Sequence, residues 1–250
     1  MTESIQEMLK HIRGKQHHAL RRSLSDSECE EITARITDPA LPYSRRAALR
    51  LALFLDYEQP VLLNGERISG LRTIIDLPGI YQPEEWQAIT SSHYIHEQGR
   101  VCNVSPDYAD TIATGFLKKR DNARIKLAEC RDLGDSEGVA FLEDAIICID
   151  AIERFSQRYA QAAAATGNNA QAEILRRVPM HGARTFHEAL QSFRIIHFAL
   201  WCAGNYHNTV GRLDQYLLPY YEADLKAGRL SKEQAFDLLE EFFLSFNRDS

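Results

Sequence analysis

The segment from Ser136 to Thr166 places the strongest constraint on the fold of this 250-residue chain. Its apolar side chains recur close to the helical period, and a glycine follows at the point where a helix would end. The residues concerned are Phe141, Ala145, Ile149, Ile152, Phe155 and Gly167. The pattern predicts a helix of about eight turns, and it favours a fold made mainly of helices.

Helix starts elsewhere carry a capping box, in which a Ser or Thr side chain caps a backbone N–H and a Glu or Gln three residues later caps back. The boxes are Ser25-x-x-Glu28, Thr185-x-x-Glu188 and Ser231-x-x-Gln234. Together with apolar periodicity they predict helices at about residues 3–22, 26–37, 43–58, 84–99, 106–132, 136–166, 169–177, 185–203, 213–227 and 231–247. Apolar residues cover more than one face of the helix at 185–203, so we expect it to be buried between layers.

Strand signals are scarce in this sequence. We expect short extended pieces at about residues 60–70 and 71–77, and another at about 209–213 that leads into the last pair of helices. There is no internal repeat and no low-complexity linker, and the region near residues 60–80 is the candidate domain boundary. The predicted fold class is mainly α with a few short strands.

The composition is that of an ordinary globular protein, with 44% hydrophobic and 26% charged residues. The net charge of −6 argues against nucleic acid as a general partner, because phosphate binding needs a clustered Lys/Arg surface. No apolar run approaches the ~20 residues that span a bilayer, and Met1–Lys10 lacks the basic start and apolar stretch of a signal peptide. We therefore expect a cytoplasmic protein without a membrane partner.

Motifs for nucleotide and metal chemistry are weak. The usual phosphate cradles, Gly-x-x-x-x-Gly-Lys and Gly-x-Gly-x-x-Gly, do not occur, so nucleotide binding is not expected. His93-x-x-His96 with Glu97 is a candidate metal site for a hydrolase, since two imidazoles and a carboxylate would lie near one another on a helix. We favour the alternative, a set of polar helix residues, because a third well-spaced ligand is missing.

Other histidines have structural interpretations. His17 and His18 are adjacent, so on a helix they would point about 100° apart and could not bind one ion together. We expect both to be solvated. His181 follows a predicted helix end and could line a pocket, but a loop histidine bonded to the backbone is the favoured interpretation.

Longer strings in the C-terminal half are not explained by helix formation alone. The string 211–228 begins Gly-Arg-Leu-Asp-Gln-Tyr, and Val178-Pro179 precedes Thr-Phe-His-Glu-Ala-Leu-Gln at 185–191. Both resemble motifs of the pyruvate formate-lyase-like glycyl radical enzymes. Weaker similarities to that family lie in the same order at Pro106-Asp107-Tyr108 with Gly115, at 64–70 and at 226–239.

The resemblance implies that residues 1–250 are the N-terminal portion of such a domain, whose fold is an α/β barrel of ten strands. In that family a glycine near the C-terminus carries a stable radical and passes it to a cysteine inside the barrel, and the thiyl then abstracts hydrogen from substrate. Both positions belong to the part of the family that follows residue 250, so we expect no catalytic residue, metal or bound cofactor in this chain. No cysteine matches the catalytic one. The cysteines are Cys29, Cys102, Cys130, Cys148 and Cys202.

By the same resemblance, the full-length protein would act on a small metabolite, as formate acetyltransferase or the dehydratase and lyase relatives do, breaking a C–C, C–O or C–N bond. It would form a homodimer, and a radical S-adenosylmethionine activating enzyme would install its radical under anaerobic conditions. The isolated chain would be catalytically incomplete. The alternative is a stand-alone helical binding or scaffold module derived from the family.

The resemblance also places part of the substrate pocket just before the Gly-Arg pair. There the chain reads Asn-Tyr-His-Asn-Thr-Val at 205–210, which differs from the Gly-His-Ser of the dehydratase branch and from the paired alanines of pyruvate formate-lyase. The implied substrate-binding residues are Tyr206, His207, Asn208 and Thr209. Tyr206 would donate a hydrogen bond, and His207 would donate one or shuttle a proton.

Asn103 is the remaining implied substrate-binding residue, near the position where dehydratases often carry a histidine. Its amide can bond a substrate hydroxyl or carboxylate but cannot exchange a proton, which argues against polyol dehydration. We interpret Arg212 and Asp214 as a structural pair.

Overall fold

A computed structural model describes residues 3–92, 103–205 and 207–249 of the chain. These residues form mainly helices, as predicted. In chain order the elements are α1 (Glu3–Arg13), a 3₁₀ turn (Gln16–Leu20), α2 (Asp26–Ile36), α3 (Tyr43–Tyr57), α4 (Pro83–Ser91), β1 (Asn103–Val104), α5 (Tyr108–Thr114), α6 (Phe116–Leu133), α7 (Ser136–Ala165), α8 (Asn169–Arg177), α9 (Phe186–Cys202), β2 (His207–Asn208), α10 (Leu213–Lys226) and α11 (Lys232–Phe246). Within the described part of the chain, no helix combines the length and apolarity that crossing a bilayer requires.

The long predicted helix is α7, which packs against α3, α6 and α8. Ile149, Ile152 and Phe155 are buried on its inner face, as their spacing predicted, whereas Phe141 is 68% exposed. Around this face lies the first hydrophobic cluster, formed by α2, α3, α7, α8 and one side of α9. Its larger members include Ile36, Leu53, Phe54, Phe155, Tyr159 and Phe198.

The second hydrophobic cluster joins α5, α10 and α11 to the other side of α9. Its larger members include Tyr108, Phe193, Leu217, Leu238 and Phe242. α9 therefore lies between the two clusters, with Ile195 in the first and Ile196 in the second. This confirms the prediction of a helix buried between layers, because adjacent apolar residues on a helix must face different neighbours.

The predicted capping boxes at Ser25 and Ser231 are both complete. At α9 the box is half formed. The Thr185 hydroxyl accepts the Glu188 N–H at 3.1 Å, but the Glu188 carboxylate accepts the N–H of Arg184 at 2.7 Å. A nearby arginine side chain, Arg184 Nη2 at 2.7 Å, holds the carboxylate in this position.

The predicted helix at about 106–132 is in fact two helices, and the prediction of one helix was wrong. The chain breaks at Gly115, which has φ of 78°. The loop after α8 approaches so closely there that a Cβ on Gly115 would lie 2.4 Å from the Met180 carbonyl oxygen. The N–H groups of Phe116 and Leu117 donate to the carbonyls of Pro179 and Met180 at 3.0 and 2.9 Å.

The predicted first helix, 3–22, also ends early, at Arg13. Lys15 has φ of 50°, a left-handed conformation that interrupts an α-helix, and a 3₁₀ turn follows. This turn buries His17 to 2% exposure, with its ring 5.9 Å from that of His11. The expectation that His17 is solvated was therefore wrong, whereas His18 is exposed as expected.

Helix α4 begins at Pro83, close to its predicted start. His93, His96 and Glu97, the candidate metal ligands, lie outside the described residues, as does Cys102. Among the residues that the structure does describe, no cluster of three or more His, Cys, Asp or Glu side chains could hold a metal ion.

Residues 58–77, the extended segment, form no named strand, and Ile74 makes an isolated bridge to Arg22. The segment contributes Ile68 to the second cluster and Ile74 to the first. Instead of a partner strand, buried side chains form hydrogen bonds with its peptide groups. The Leu71 N–H donates to the Tyr159 hydroxyl at 2.9 Å, and the Thr73 N–H donates to the Glu58 carboxylate at 2.6 Å. Backbone groups buried away from water need such partners.

Candidate functional site

The candidate site is built on the short parallel pair of β1 and β2. Asn103 lies opposite His207 and Val104 lies opposite Asn208. The Thr209 N–H extends the pairing by donating to the Val104 carbonyl at 3.0 Å. Two regions that were singled out far apart in the sequence are thus neighbours in space. Tyr206 lies outside the described residues, and only the backbone of Asn103 is described.

Side chains alternate along β2 and its continuation, as the strand period requires. His207 and Thr209 are exposed, and Asn208 between them is half-buried. Asn208 Nδ2 donates to the Asn205 carbonyl, a contact inside the same loop. The open face of the strand pair therefore carries an imidazole and a hydroxyl side by side, while the Asn208 amide is turned toward the protein.

The turn after β2 is closed by side-chain hydrogen bonds. The Thr209 Oγ1 accepts the N–H of Gly211 at 3.0 Å, and Gly211 has φ of 60°, which favours glycine. The Tyr216 hydroxyl, from α10, donates to the Val210 carbonyl at 2.6 Å. Arg212 and Asp214 pair at 2.8 Å on the exposed surface, as predicted.

An aromatic stack joins residues that follow each of the two strands. Tyr108, which follows β1, stacks on Phe193 of α9 with ring centroids 4.0 Å apart, and Tyr216 is 6.5 Å from the same ring. Burial raises the pKa of both tyrosines. The Tyr108 hydroxyl is buried and has no hydrogen-bond partner among the described residues.

His197 adds an imidazole beside this stack, with its ring 4.8 Å from that of Phe246. Burial, and secondarily the positive charge of Arg194, lowers the pKa of His197 to about 4. The side chain is therefore neutral at pH 7. Sequence reasoning did not single out His197; a histidine within the apolar run of α9 was the available signal.

The arrangement offers two hydrogen-bonding side chains, His207 and Thr209, on the open face of β2. Histidine is the side chain that most readily exchanges a proton near neutral pH, and a threonine hydroxyl donates and accepts hydrogen bonds. His181 is exposed elsewhere in the chain, after α8, and its backbone N–H donates to the Arg177 carbonyl at 2.8 Å. The structure does not bring His181 into the strand pair.

Comparison with known families identifies the scaffold that carries this site. A family model described as pyruvate formate lyase-like matches residues 79–249, which include both strands and the helices around them. The chain belongs to the pyruvate formate lyase-like family. Its match covers the N-terminal part of glycyl radical enzymes, as the sequence motifs predicted.

Curated relatives of this pyruvate formate lyase-like chain are glycyl radical lyases and dehydratases. Isethionate sulfite-lyase of Nitratidesulfovibrio vulgaris is 33% identical over 150 residues, which are 54% of this chain and 18% of the relative. Trans-4-hydroxy-L-proline dehydratase of Clostridioides difficile is 32% identical over 155 residues, 55% of this chain and 20% of the relative. The matched region thus spans about a fifth of these relatives.

Solved structures show the same fold. A structure on 1,2-propanediol dehydration in Roseburia inulinivorans matches 99% of this chain and 38% of its own, with a TM-score of 0.80 and 20% identity. The glycerol-bound B12-independent glycerol dehydratase of Clostridium butyricum matches 99% of this chain and 40% of its own, with a TM-score of 0.76 and 21% identity. The helical architecture is therefore that of one part of a glycyl radical enzyme.

The pyruvate formate lyase-like chain has four cysteines among its described residues, and all lie in the helices predicted for them. They are Cys29 in α2, Cys130 in α6, Cys148 in α7 and Cys202 in α9. Burial raises the pKa of Cys148 to about 11 and also raises that of Cys202. Both are therefore protonated thiols at pH 7.

Proposed function

We propose that this chain is the N-terminal portion of a glycyl radical enzyme that cleaves a C–C or C–heteroatom bond of a small metabolite. Asn103, Tyr206, His207 and Thr209 are its substrate-facing residues, and Asn208, whose amide bonds to the Asn205 carbonyl, holds the loop that carries them. The observation that carries the proposal is the parallel pairing of Asn103 with His207 inside a region that belongs to the pyruvate formate lyase-like family.

The geometry supports distinct tasks for these residues. His207 and Thr209 project from the same exposed face, so one small molecule can contact both. In the proposed site His207 donates a hydrogen bond or moves a proton, and Thr209 offers its hydroxyl proton, since its oxygen already accepts the Gly211 N–H. Asn103 and Tyr206 contribute hydrogen bonds from the adjoining positions.

The reaction type is proposed from the relatives, which by name are a sulfite-lyase and a dehydratase. We favour lyase or dehydratase chemistry over formate acetyl transfer for this reason. The substrate would be a small polar molecule, because the groups on the open face of β2 are hydrogen-bonding groups. Radical chemistry also needs exclusion of water, which further parts of a full-length barrel would supply.

The remaining assignments follow from the same family membership. In the full-length protein a glycyl radical, installed by a radical S-adenosylmethionine activating enzyme, would supply hydrogen abstraction. We propose that the full-length protein is a cytoplasmic homodimer in an anaerobic organism, and that this chain alone is catalytically incomplete.

The second candidate function is a stand-alone helical binding or scaffold module, which the two extensive hydrophobic clusters favour.

The test is turnover by the complete polypeptide that the gene encodes, activated anaerobically and supplied with isethionate or trans-4-hydroxy-L-proline. We expect His207→Ala to lower kcat/KM by about 10²-fold or more. The matched control His181→Ala, an exposed histidine outside the strand pair, should change it by less than about twofold. Both variants should keep the glycyl radical signal in electron paramagnetic resonance. Equal effects of the two substitutions would refute the assignment of His207.

A further inference from the structure

We propose that Tyr216 is a positioning residue that holds the exit of β2, and with it His207 and Thr209, in the orientation that the proposed site requires. The proposal rests on the proposed function in treating this face as the substrate side. The positioning itself is a property of the chain that can be measured without substrate.

Three hydrogen bonds hold the backbone from Thr209 to Gly211, and their partners lie in β1, in the turn itself and in α10. The Thr209 N–H donates to Val104 of β1 at 3.0 Å. The Gly211 N–H donates back to the Thr209 hydroxyl oxygen at 3.0 Å. Between them, the Val210 carbonyl accepts the Tyr216 hydroxyl at 2.6 Å. Tyr216 therefore ties the middle of this turn to helix α10.

The Tyr216 ring is itself well anchored. It packs against the second cluster, nearly parallel to Phe193 with an angle of 10° between the ring planes. Tyr108, which follows β1, stacks on the same Phe193 ring. Residues that follow β1 and β2 thus pack on the same side chain of α9. Because the Tyr216 ring is rigid, this packing fixes the position of the hydroxyl that bonds to the Val210 carbonyl.

Removing the Tyr216 hydroxyl would leave the Val210 carbonyl without this donor. A carbonyl freed in this way can rotate toward another partner, and the Val210–Gly211 peptide would rotate with it. The hydrogen bonds that the Thr209 and Gly211 N–H groups donate would then be the first to weaken. Reacting groups must be placed to within about an ångström, so a small rotation here would matter to the face that carries His207.

Tyr216→Phe tests this proposal, because the substitution keeps the ring and removes the hydroxyl. We expect amide hydrogen exchange at Thr209 and Gly211 to become about fivefold to tenfold faster, as loss of one hydrogen bond predicts. The NMR signals of the His207 imidazole should shift as well. Tyr220→Phe is the matched control, since Tyr220 lies in the same helix and cluster, and it should leave these signals unchanged.

The proposal is overturned if exchange at Thr209 and Gly211 does not change, if Tyr220→Phe has the same effect, or if exchange rises uniformly through the chain. The last outcome would mean a general loss of stability. Since the measurement needs no turnover, loss of the His207 assignment in the kinetic test would leave this result standing. The reverse also holds, because His207→Ala does not touch the Tyr216 hydrogen bond.

Discussion

Gln191 of α9 and Ser69 of the extended segment are joined by two hydrogen bonds. The Gln191 amide oxygen accepts the Ser69 N–H at 2.7 Å, and the Gln191 Nε2 donates to the Ser69 carbonyl at 2.9 Å. Both residues are fully buried. A helix side chain here does what a neighbouring strand does in a sheet, satisfying the donor and the acceptor of one residue.

Replacing Gln191 should therefore destabilise the fold. Gln191→Leu preserves most of the side-chain volume but leaves the Ser69 N–H and carbonyl unpaired. Gln171 Nε2 would lose its bond to Gln191, at 2.7 Å, and keep the one to the Ser69 hydroxyl. We expect a loss of about 2–4 kcal/mol in the free energy of unfolding, because buried polar groups would lose their partners. Urea unfolding at low protein concentration measures it. Gln161→Leu, at an exposed position of α7, should change stability by less than about 0.5 kcal/mol.

Gly115 should not tolerate a side chain. In Gly115→Ala the new Cβ would lie 2.4 Å from the Met180 carbonyl oxygen, and the residue would also keep a left-handed φ of 78°. We expect a loss of roughly 3 kcal/mol or more, since strain and overlap act together. Gly134→Ala is the control, because Gly134 has a similar φ of 71° and no atom within 4 Å of the added Cβ. It should cost only about 1 kcal/mol, and similar urea midpoints for the two variants would contradict the close approach.

Glu58 should make stability depend on pH. Burial raises the pKa of this carboxyl from 4.5 to about 7, although the Thr73 hydroxyl and N–H and the Ile74 N–H donate to it. Between these pH values the folded chain holds a proton that the unfolded chain has released. The contribution of Glu58 to the free energy of unfolding is therefore complete below about pH 4.5 and is lost as the pH rises to about 7.

The variant Glu58→Gln isolates this contribution. Between pH 4.5 and 7, wild type should lose roughly 1–3 kcal/mol of stability relative to the variant, measured by urea unfolding at each pH. His197, whose lowered pKa gives the opposite trend, is present in both proteins and cancels in the difference. The stability of the control variant Glu31→Gln, at an exposed position of α2, should change with pH as that of wild type does. Parallel curves for wild type and Glu58→Gln would show that Glu58 does not hold this proton.

Exposed apolar side chains should make the isolated chain self-associate if it is one part of a larger barrel. Phe236 is 62% exposed, and Leu218 and Phe243, which line surface hollows with it, are 47% and 46% exposed. Contiguous exposed apolar side chains of this kind mark interaction surfaces. We expect concentration-dependent sedimentation and binding of a hydrophobic dye. A monodisperse monomer with one sharp thermal transition and no dye binding would favour the stand-alone module instead.

Local signals in the sequence predicted most of the helices, because helix periodicity and capping depend on residues three and four positions apart. The long helix α7, the complete boxes at Ser25 and Ser231, and the buried position of α9 are of this kind. The motif around Gly211 located the candidate site, and it included Tyr216 without indicating what the hydroxyl contacts. The roles of Asn103 and residues 206–209 with substrate remain predictions.

Features that depend on distant parts of the chain were decided by the tertiary structure. The sequence by itself determined the helical class, the family and the order of the elements. Folding alone decided that Gly115 interrupts a helix, that His17 is buried, that β1 pairs with β2, and that Gln191 and Glu58 serve the extended segment. The physical reason is that a buried peptide group or a close backbone contact takes its partner from whatever the fold brings near it, and that partner leaves no periodic signal in the surrounding sequence.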